Sequence, residues 1–284
     1  MVLVTGATGH QGGAVLRHLR MRGFPVRALT RDPNQQKARD LAGPGVDLVR
    51  GDLDDRNSLV RALDEVYGVF SVQDAHQAGS EGEIRQGIGL ADAARRSDIS
   101  HFVYSSVASA DQRTGIPHFD SKFRIEEHIR STGLKFTVLR PVFFMENWLG
   151  QKEGIDAGTL ALPIDPGTRL QMVAVDNIGE AAAHAFEHTG KWQDRVFDLA
   201  GDELSMSETA EVFSRATGRE VRYVQTPWAD FETHAGPEMT RMFRWFQEKG
   251  YHVDISAVRQ EIPDLLSLEQ WIRSAWNRSV RTAR

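Results

Sequence analysis

The chain has 284 residues, 40% of them hydrophobic and 26% charged, the make-up of an ordinary globular protein with enough length for a sizeable core. With 39 acidic against 34 basic residues its net charge is −5, so no general attraction to nucleic acid is expected and direct nucleic-acid binding is disfavoured. The absence of cysteine excludes disulfides, cysteine-ligated zinc and thiol catalysis, and no apolar run reaches the roughly 18 residues of a membrane span.

The apolar run Val2-Leu3-Val4-Thr5 reads as a first strand. A strand beginning at residue 2 leaves no room for a signal peptide, so a cytoplasmic location is expected. Next come Gly6-Ala7-Thr8-Gly9-His10-Gln11-Gly12-Gly13 and a helical pattern through Leu19, with Gly23 placed to stop the helix. Strand, glycine loop and helix in that order open a dinucleotide-binding fold. Gly6 allows the turn out of the strand, Gly9 lets the backbone approach a pyrophosphate, and Gly12 permits close helix–strand packing. The helix N-terminus adds open N–H groups and positive dipole. The spacing is G-x-x-G-x-x-G rather than G-x-G-x-x-G, and a purely structural turn is the competing reading of the same glycines.

Val26–Leu29 reads as the second strand, followed by Thr30-Arg31-Asp32-Pro33. The end of this strand meets the adenosine ribose, where an acid favours NAD and an arginine accommodates the 2′-phosphate of NADP. Arg31 therefore points to NADP, with NADPH preferred over NADH; a solvated loop arginine is the alternative. After a short polar helix at 34–41 comes a strand at Asp47–Arg50, leading into Gly51-Asp52-Leu53-Asp54-Asp55. Asp52 is placed to meet the adenine amino group, while a turn or N-cap role fits Asp54 or Asp55 ahead of a helix at 56–64. Tyr67–Val72 forms a fourth strand, and Gln73 at its carboxyl end is a candidate contact to ribose or pyrophosphate.

A helix over 81–96 and a strand over His101–Tyr104, ending in Ser105-Ser106, come next. Pro117 opens a helix to about Arg130, on which His118 and Lys122 share a face. Phe136–Leu139 completes six strands alternating with helices, the pattern of a Rossmann-type, doubly wound parallel α/β sheet. The expected division is a nucleotide-binding domain over 1–147 and a smaller C-terminal α/β lobe over 148–284, woven onto it.

In that lobe, strands are expected at Leu170–Val175, Val196–Leu199 and Val221–Gln225, with a helix at 176–188. Ser205-x-x-Glu208 is a capping box for a helix ending at Gly218, and Ser267-x-x-Gln270 opens another over 267–276. Further helical patterns cover 237–249 and 255–261. Met242, Phe243, Trp245 and Phe246 fall at helical spacings, as a core stripe or as pocket lining. The ten histidines are read as scattered, and no metal site is expected.

Together, Gly6-Ala7-Thr8-Gly9-His10-Gln11-Gly12, Thr30-Arg31-Asp32-Pro33, Gly51-Asp52-Leu53, His118-Phe119-Asp120-Ser121-Lys122, the run Phe144-Met145-Glu146-Asn147 and the tail Met242-Phe243-Arg244-Trp245-Phe246 resemble the NmrA-like branch of the atypical short-chain dehydrogenase/reductases. The similarity spans nearly the whole chain and is nearest to the NADP(H)-binding redox sensors of that branch. The resemblance implies residues 6–11 at the pyrophosphate, Arg31 at the 2′-phosphate, Asp52 and Leu53 at adenine, and Gln73 beside the ribose. It further implies Lys122 at the nicotinamide ribose and Phe144 through Asn147 beside the nicotinamide.

Reductases of the superfamily carry Tyr-x-x-x-Lys and an upstream serine. Here His118 stands at the tyrosine position, with Lys122 and Ser105 or Ser106 retained. Imidazole has a reference pKa of about 6.5 against about 10 for a phenol, and a neighbouring ammonium is expected to lower it further. The resemblance thus implies a redox-responsive regulator with weak or no turnover, or alternatively an NADPH-dependent oxidoreductase acting on a small quinone, carbonyl or imine. A protein partner, a small-molecule acceptor and a homodimer are all compatible with it.

Overall fold

The computed structural model describes residues 1–276. In chain order its elements are β1 (Val2–Val4), α1 (His10–Met21), β2 (Val26–Thr30), α2 (Gln36–Arg39), β3 (Val46–Arg50), α3 (Arg56–Ala62), β4 (Gly68–Ser71), α4 (Ala75–Arg96), β5 (His101–Ser105), α5 (Pro117–Ser131) and β6 (Phe136–Pro141). They continue with β7 (Phe143–Phe144), α6 (Lys152–Asp156), β8 (Thr159–Leu162), β9 (Arg169–Val173), α7 (Val175–Glu187), α8 (Thr189–Trp192), β10 (Arg195–Leu199), β11 (Asp202–Ser205), α9 (Met206–Thr217), β12 (Arg222–Gln225), α10 (Trp228–Glu248), α11 (Ile255–Glu261) and α12 (Leu268–Trp271). They form two compact units. The first is Met1–Arg140 with Ile178–Phe197, and the second is Pro141–Asn177 with the described residues from Asp198 onward.

The first unit carries a seven-stranded sheet of order β10-β6-β5-β4-β1-β2-β3. Strand β1 pairs in parallel with β2 and with β4, and β2–β3, β4–β5 and β5–β6 are parallel as well. The order 3-2-1-4-5-6 within it is that of the doubly wound dinucleotide fold, whose direction of winding reverses between β1 and β4. Ligands of such sheets bind beyond the carboxyl ends of the strands at that point. Under one face, Leu3, Leu59, Val69, Leu90, Phe102, Ile125 and Val138 form a buried core. Helices α4 and α5 approach closely because residue 87 has no side chain: a Cβ there would lie 2.6 Å from Cδ1 of Ile125.

Strand β10, expected in the lobe, instead borders β6 in the main sheet. The segment leading to it is tied down by its own residues. Thr137 Oγ1 donates to the Trp192 carbonyl at 2.6 Å, and the Asp194 amide donates to Phe136 O at 2.6 Å. Helix α7 packs against α1 at Gly179, where a Cβ would sit 2.6 Å from the Ala14 carbonyl carbon. Phe186 fills the space over Gly68, where a Cβ would meet its ring at 2.7 Å. These contacts make 178–197 part of the first unit.

Helix α4 starts at Ala75 rather than near residue 81, with Asp74 as its cap and a break at Gly79 (φ +69, ψ 166) that hides its first turn from periodicity. The second unit contains two small sheets, β11-β9-β7 and β12-β8. Both expected capping boxes are present, at Ser205 and Ser267, and Gly218 closes α9 in the left-handed region at φ +71. Helix α10 spans 228–248 with a break at Gly236, and residues 272–276 wind as a π turn rather than continuing α12. Met242, Phe243 and Phe246 of the aromatic stripe are core, and Trp245 is half-buried. Phe243 and Phe246 are buried edge-on against Phe143, and Phe246 packs on Tyr251. Among the described residues no helix is long and apolar enough to cross a membrane.

Candidate functional site

The loop after β1 is fixed from below and open above. Thr5, fully buried, donates its hydroxyl to Val72 O at 3.0 Å and accepts from the Val72 amide at 2.9 Å, locking the loop to the end of β4. Gly6 turns the chain at φ +60, and the Gly9 amide donates to Gly6 O at 2.8 Å. A Cβ on residue 12 would lie 2.3 Å from Gly6 O and 2.5 Å from Thr5 O, so α1 can begin here only with glycine at that position. Gly9 caps α1 without a side-chain hydrogen bond, and no acidic residue occupies the first turn. The helix thus presents open N–H groups and a positive end. Gly6, Thr8, Gly9 and His10 are exposed, Ala7 is buried, and Gln11 is half-buried, accepting from Ser105 Oγ at 2.6 Å.

Arg31 follows β2 on the same side of the sheet, exposed, its Nη2 3.3 Å from Gln77 Oε1 in the first turn of α4. Gln77 is in turn held by Asp74 at 2.9 Å. Asp52 is exposed and folded into a turn: its Oδ1 accepts the Asp54 amide at 3.0 Å and its own amide donates to Ser58 Oγ at 2.9 Å. The N-cap of α3 is Asp55. Leu53 packs on the core. Asp54 pairs with Arg85 at 2.8 Å, and the hydrogen bonds of Arg85 and Gln86 hold its carboxyl below the usual carboxylate range.

Gln73 is buried at the carboxyl end of β4. Its Nε2 donates to Ser71 Oγ at 2.9 Å, but its buried Oε1 has no hydrogen-bond partner among the described residues. Buried polar atoms are rarely left so, and such an orphan marks a place for a ligand or water.

Lys122 directs Nζ to Oε1 of Glu83 at 2.7 Å, and the other oxygen of Glu83 accepts from Ser121 Oγ. Glu83 is fully buried on α4. His118, one turn before Lys122, is half-buried and sets its ring edge-on to Phe119 at 5.0 Å. Ser105 is engaged by Gln11, while Ser106 donates to Glu126 Oε1 at 2.5 Å. Glu126 anchors a second buried cluster. Arg140 reaches it through Nε at 2.9 Å and Nη2 at 2.8 Å, and a third bond joins Arg140 to Asp111 at 2.9 Å.

Tyr104 on β5 does not replace the missing tyrosine. It is fully buried, its hydroxyl lacks a hydrogen-bond partner among the described residues, and burial, reinforced by Glu83 and Glu126, pushes it well above its ordinary pKa. The structure therefore gathers Gly6–Gly12, Arg31, Gln73 and Ser105 along the carboxyl edge of the sheet, with Lys122 on α5 held by Glu83. Phe144, half-buried on β7, and Asn147, exposed in the following turn, belong to the second unit.

Glu83, the partner of Lys122, has a sequence signal that went unread. It lies on the face of α4 that also carries Gly87 and Leu90, a carboxylate within an apolar stripe.

A model of the NmrA-like family matches residues 1–272. The chain is 30% identical over 226 residues to the NAD(P)H azoreductase of Xenophilus azovorans, covering 79% of this chain and 76% of that one. It is 30% identical over 248 residues to the nitrogen metabolite repression protein nmrA of Emericella nidulans, covering 82% and 70%. The crystal structure of Citrobacter sp. triphenylmethane reductase complexed with NADP(H) superposes with a TM-score of 0.83 at 25% identity, covering 96% of this chain and 99% of that one. Strand order, glycine loop and whole-chain match agree: the chain belongs to the NmrA-like family.

Proposed function

We propose that this protein binds NADP(H) through the loop at residues 6–12 and uses it as a redox-responsive regulator with weak or no turnover of its own. The observation that carries the binding half is the Gly12 cradle, where any side chain would collide with the Gly6 and Thr5 carbonyls, at the foot of a helix that opens uncapped beyond β1. The residues present fit the cofactor. The loop at residues 6–11 suits the pyrophosphate, and exposed Arg31 suits a 2′-phosphate through its planar, permanently charged fork. Asp52 and Leu53 would border adenine, the orphaned Gln73 Oε1 would accept from a ribose hydroxyl, and Lys122 would donate to the nicotinamide ribose. Arg31 is the reason to expect NADPH over NADH.

When bound, NADPH supplies a hydride; a carbonyl acceptor also needs a proton. At the positions of the usual acid machinery, Ser105 is bonded to Gln11, Lys122 is held by Glu83, and imidazole stands in place of phenol at residue 118. This favours a protein that reads the state of its nicotinamide and passes it to a partner protein. Titration with NADPH and with NADP⁺, following oligomeric state and protease sensitivity, tests it. The regulator reading requires the two forms to behave differently, and identical behaviour contradicts it.

A second reading, an NADPH-dependent reductase, is favoured by the relatives named for azo and triphenylmethane reduction. It would suit quinones, carbonyls or imines that need little acid catalysis from the protein. Consumption of NADPH at about 340 nm across a panel of such acceptors separates the two, since the regulator leaves the rate at or barely above the buffer level.

A further inference from the structure

Helix α7 ends in His184-Ala185-Phe186-Glu187 and is followed by His188, a stretch that takes no part in the site described above. His184 and His188 are four apart and lie on one face of the turn. The His188 amide donates to His184 O at 2.9 Å, which carries the helical turn on to residue 188. The two rings are 5.8 Å apart between centroids and tilted by 37°. Glu187 Oε2 lies 3.8 Å from His188 Nε2. One ligand atom from each of the three residues falls within 4.8 Å of the other two. Their side chains are 24%, 41% and 54% exposed for His184, Glu187 and His188, so an ion can reach them from water.

We propose that His184, Glu187 and His188 form a binding site for a divalent transition cation of the zinc class. Two imidazoles and one carboxylate are a donor set zinc accepts, at about 2.0–2.2 Å per bond, with the fourth tetrahedral position left to water. Paired histidines at i and i+4 on a helix are the spacing by which helical zinc sites are built. Magnesium and calcium, which require several oxygen ligands, are poorly served by a single carboxylate. Behind His184, buried Glu180 places Oε1 4.0 Å from Nε2 and adds negative charge to the site.

The opposing group is Arg22, just past the end of α1. Its Nε lies 3.2 Å from Glu187 Oε2, and its Nη1 is 3.4 Å from His18 Nδ1. Metal uptake therefore exchanges the Arg22–Glu187 ion pair for a metal–carboxylate bond, and the arginine sets how tightly the ion is held. Since α1 begins at the glycine loop, the ion would act on the far end of the helix that carries the nucleotide site.

The test is calorimetric titration of the full, chelator-treated chain with zinc chloride, with magnesium chloride as control. The expected result is one zinc per chain, an affinity at least about tenfold weaker in His184→Ala and in His188→Gln, and a severalfold gain in Arg22→Gln. His188 is an exposed ring, so that variant keeps the unfolding temperature of the wild type without zinc and loses only the zinc-induced rise. Zinc uptake that survives the double substitution His184→Ala/His188→Ala, or no uptake at hundreds of micromolar zinc, overturns the site.

Discussion

The Lys122 ammonium lies 2.7 Å from Oε1 of Glu83, a carboxylate with no exposure to solvent. The pair joins α5 to α4 and fixes the lysine by charge, with Ser121 holding the second carboxylate oxygen. If Lys122 reaches the nicotinamide ribose, Glu83 sets where it can reach. Glu83→Gln is expected to weaken NADPH about tenfold while leaving 2′,5′-ADP, which lacks the nicotinamide ribose, within about twofold. Fluorescence titration with both ligands checks this, and equal losses for both would mean that the pair merely holds the fold.

The same pair bears on stability. Removing one partner of a buried ion pair leaves the other charge uncompensated, at a cost of about 3 kcal/mol or more. Glu83→Ala is expected to lower the urea midpoint accordingly, and Glu83→Gln/Lys122→Met to recover a good part of the loss. A midpoint unchanged in Glu83→Ala would show that the pair contributes nothing to stability.

Gly12→Ala tests the cradle. Its methyl would sit 2.3 Å from Gly6 O, and backbone cannot yield as a side-chain end does. Overpacking of this kind costs about 1–3 kcal/mol. The expected outcome is a lower melting temperature together with loss of most NADPH affinity. Gly23→Ala, where a Cβ meets nothing within 4 Å, serves as the comparison: it is strained only by φ +79 and leaves cofactor affinity unchanged.

His101 gives a pH dependence with a defined sign. Burial lowers its pKa from 6.5 to about 4, while Nε2 stays within 2.9 Å of Thr137 Oγ1. The unfolded chain protonates first as pH falls, so this contribution is full above about 6.5 and is lost progressively as pH drops towards about 4. At pH 5 the protein is expected to be about 2 kcal/mol less stable than at pH 7 from this residue alone. Urea unfolding of the wild type and of His101→Asn at both pH values checks it, the variant showing the smaller drop.

Much of the first unit was legible because its signals are local. Apolar strands alternate with amphipathic helices, and Gly6, Gly9 and Gly12 sit where a strand hands over to a helix. Ser205, Ser267 and Gly218 marked their helix ends correctly for the same reason. Long-range pairings were not legible. Strand β10 reads as a lobe strand until Thr137 and Phe136 are seen to hold the segment before it, and β7, β8 and β11 are too short to show a period. In the candidate site, the glycine turn and the place of Arg31 after β2 are legible from sequence position, whereas Glu83 acquires its meaning only by lying opposite Lys122 across two helices. His184 and His188 both fall within the helix expected at 176–188, but that their ligand atoms lie beside that of Glu187 shows only once the turn is built.

The proposed NADP(H) site joins the glycine loop to Arg31, the residue that would select the 2′-phosphate. Its most direct test is calorimetric titration of the wild type and of Arg31→Ala with NADPH and with NADH. The wild type is expected to prefer NADPH, and the variant to lose about 10- to 100-fold for NADPH with NADH unchanged, the value of one or two charge-assisted hydrogen bonds. Equal affinity of the wild type for both dinucleotides, or binding of neither, contradicts it.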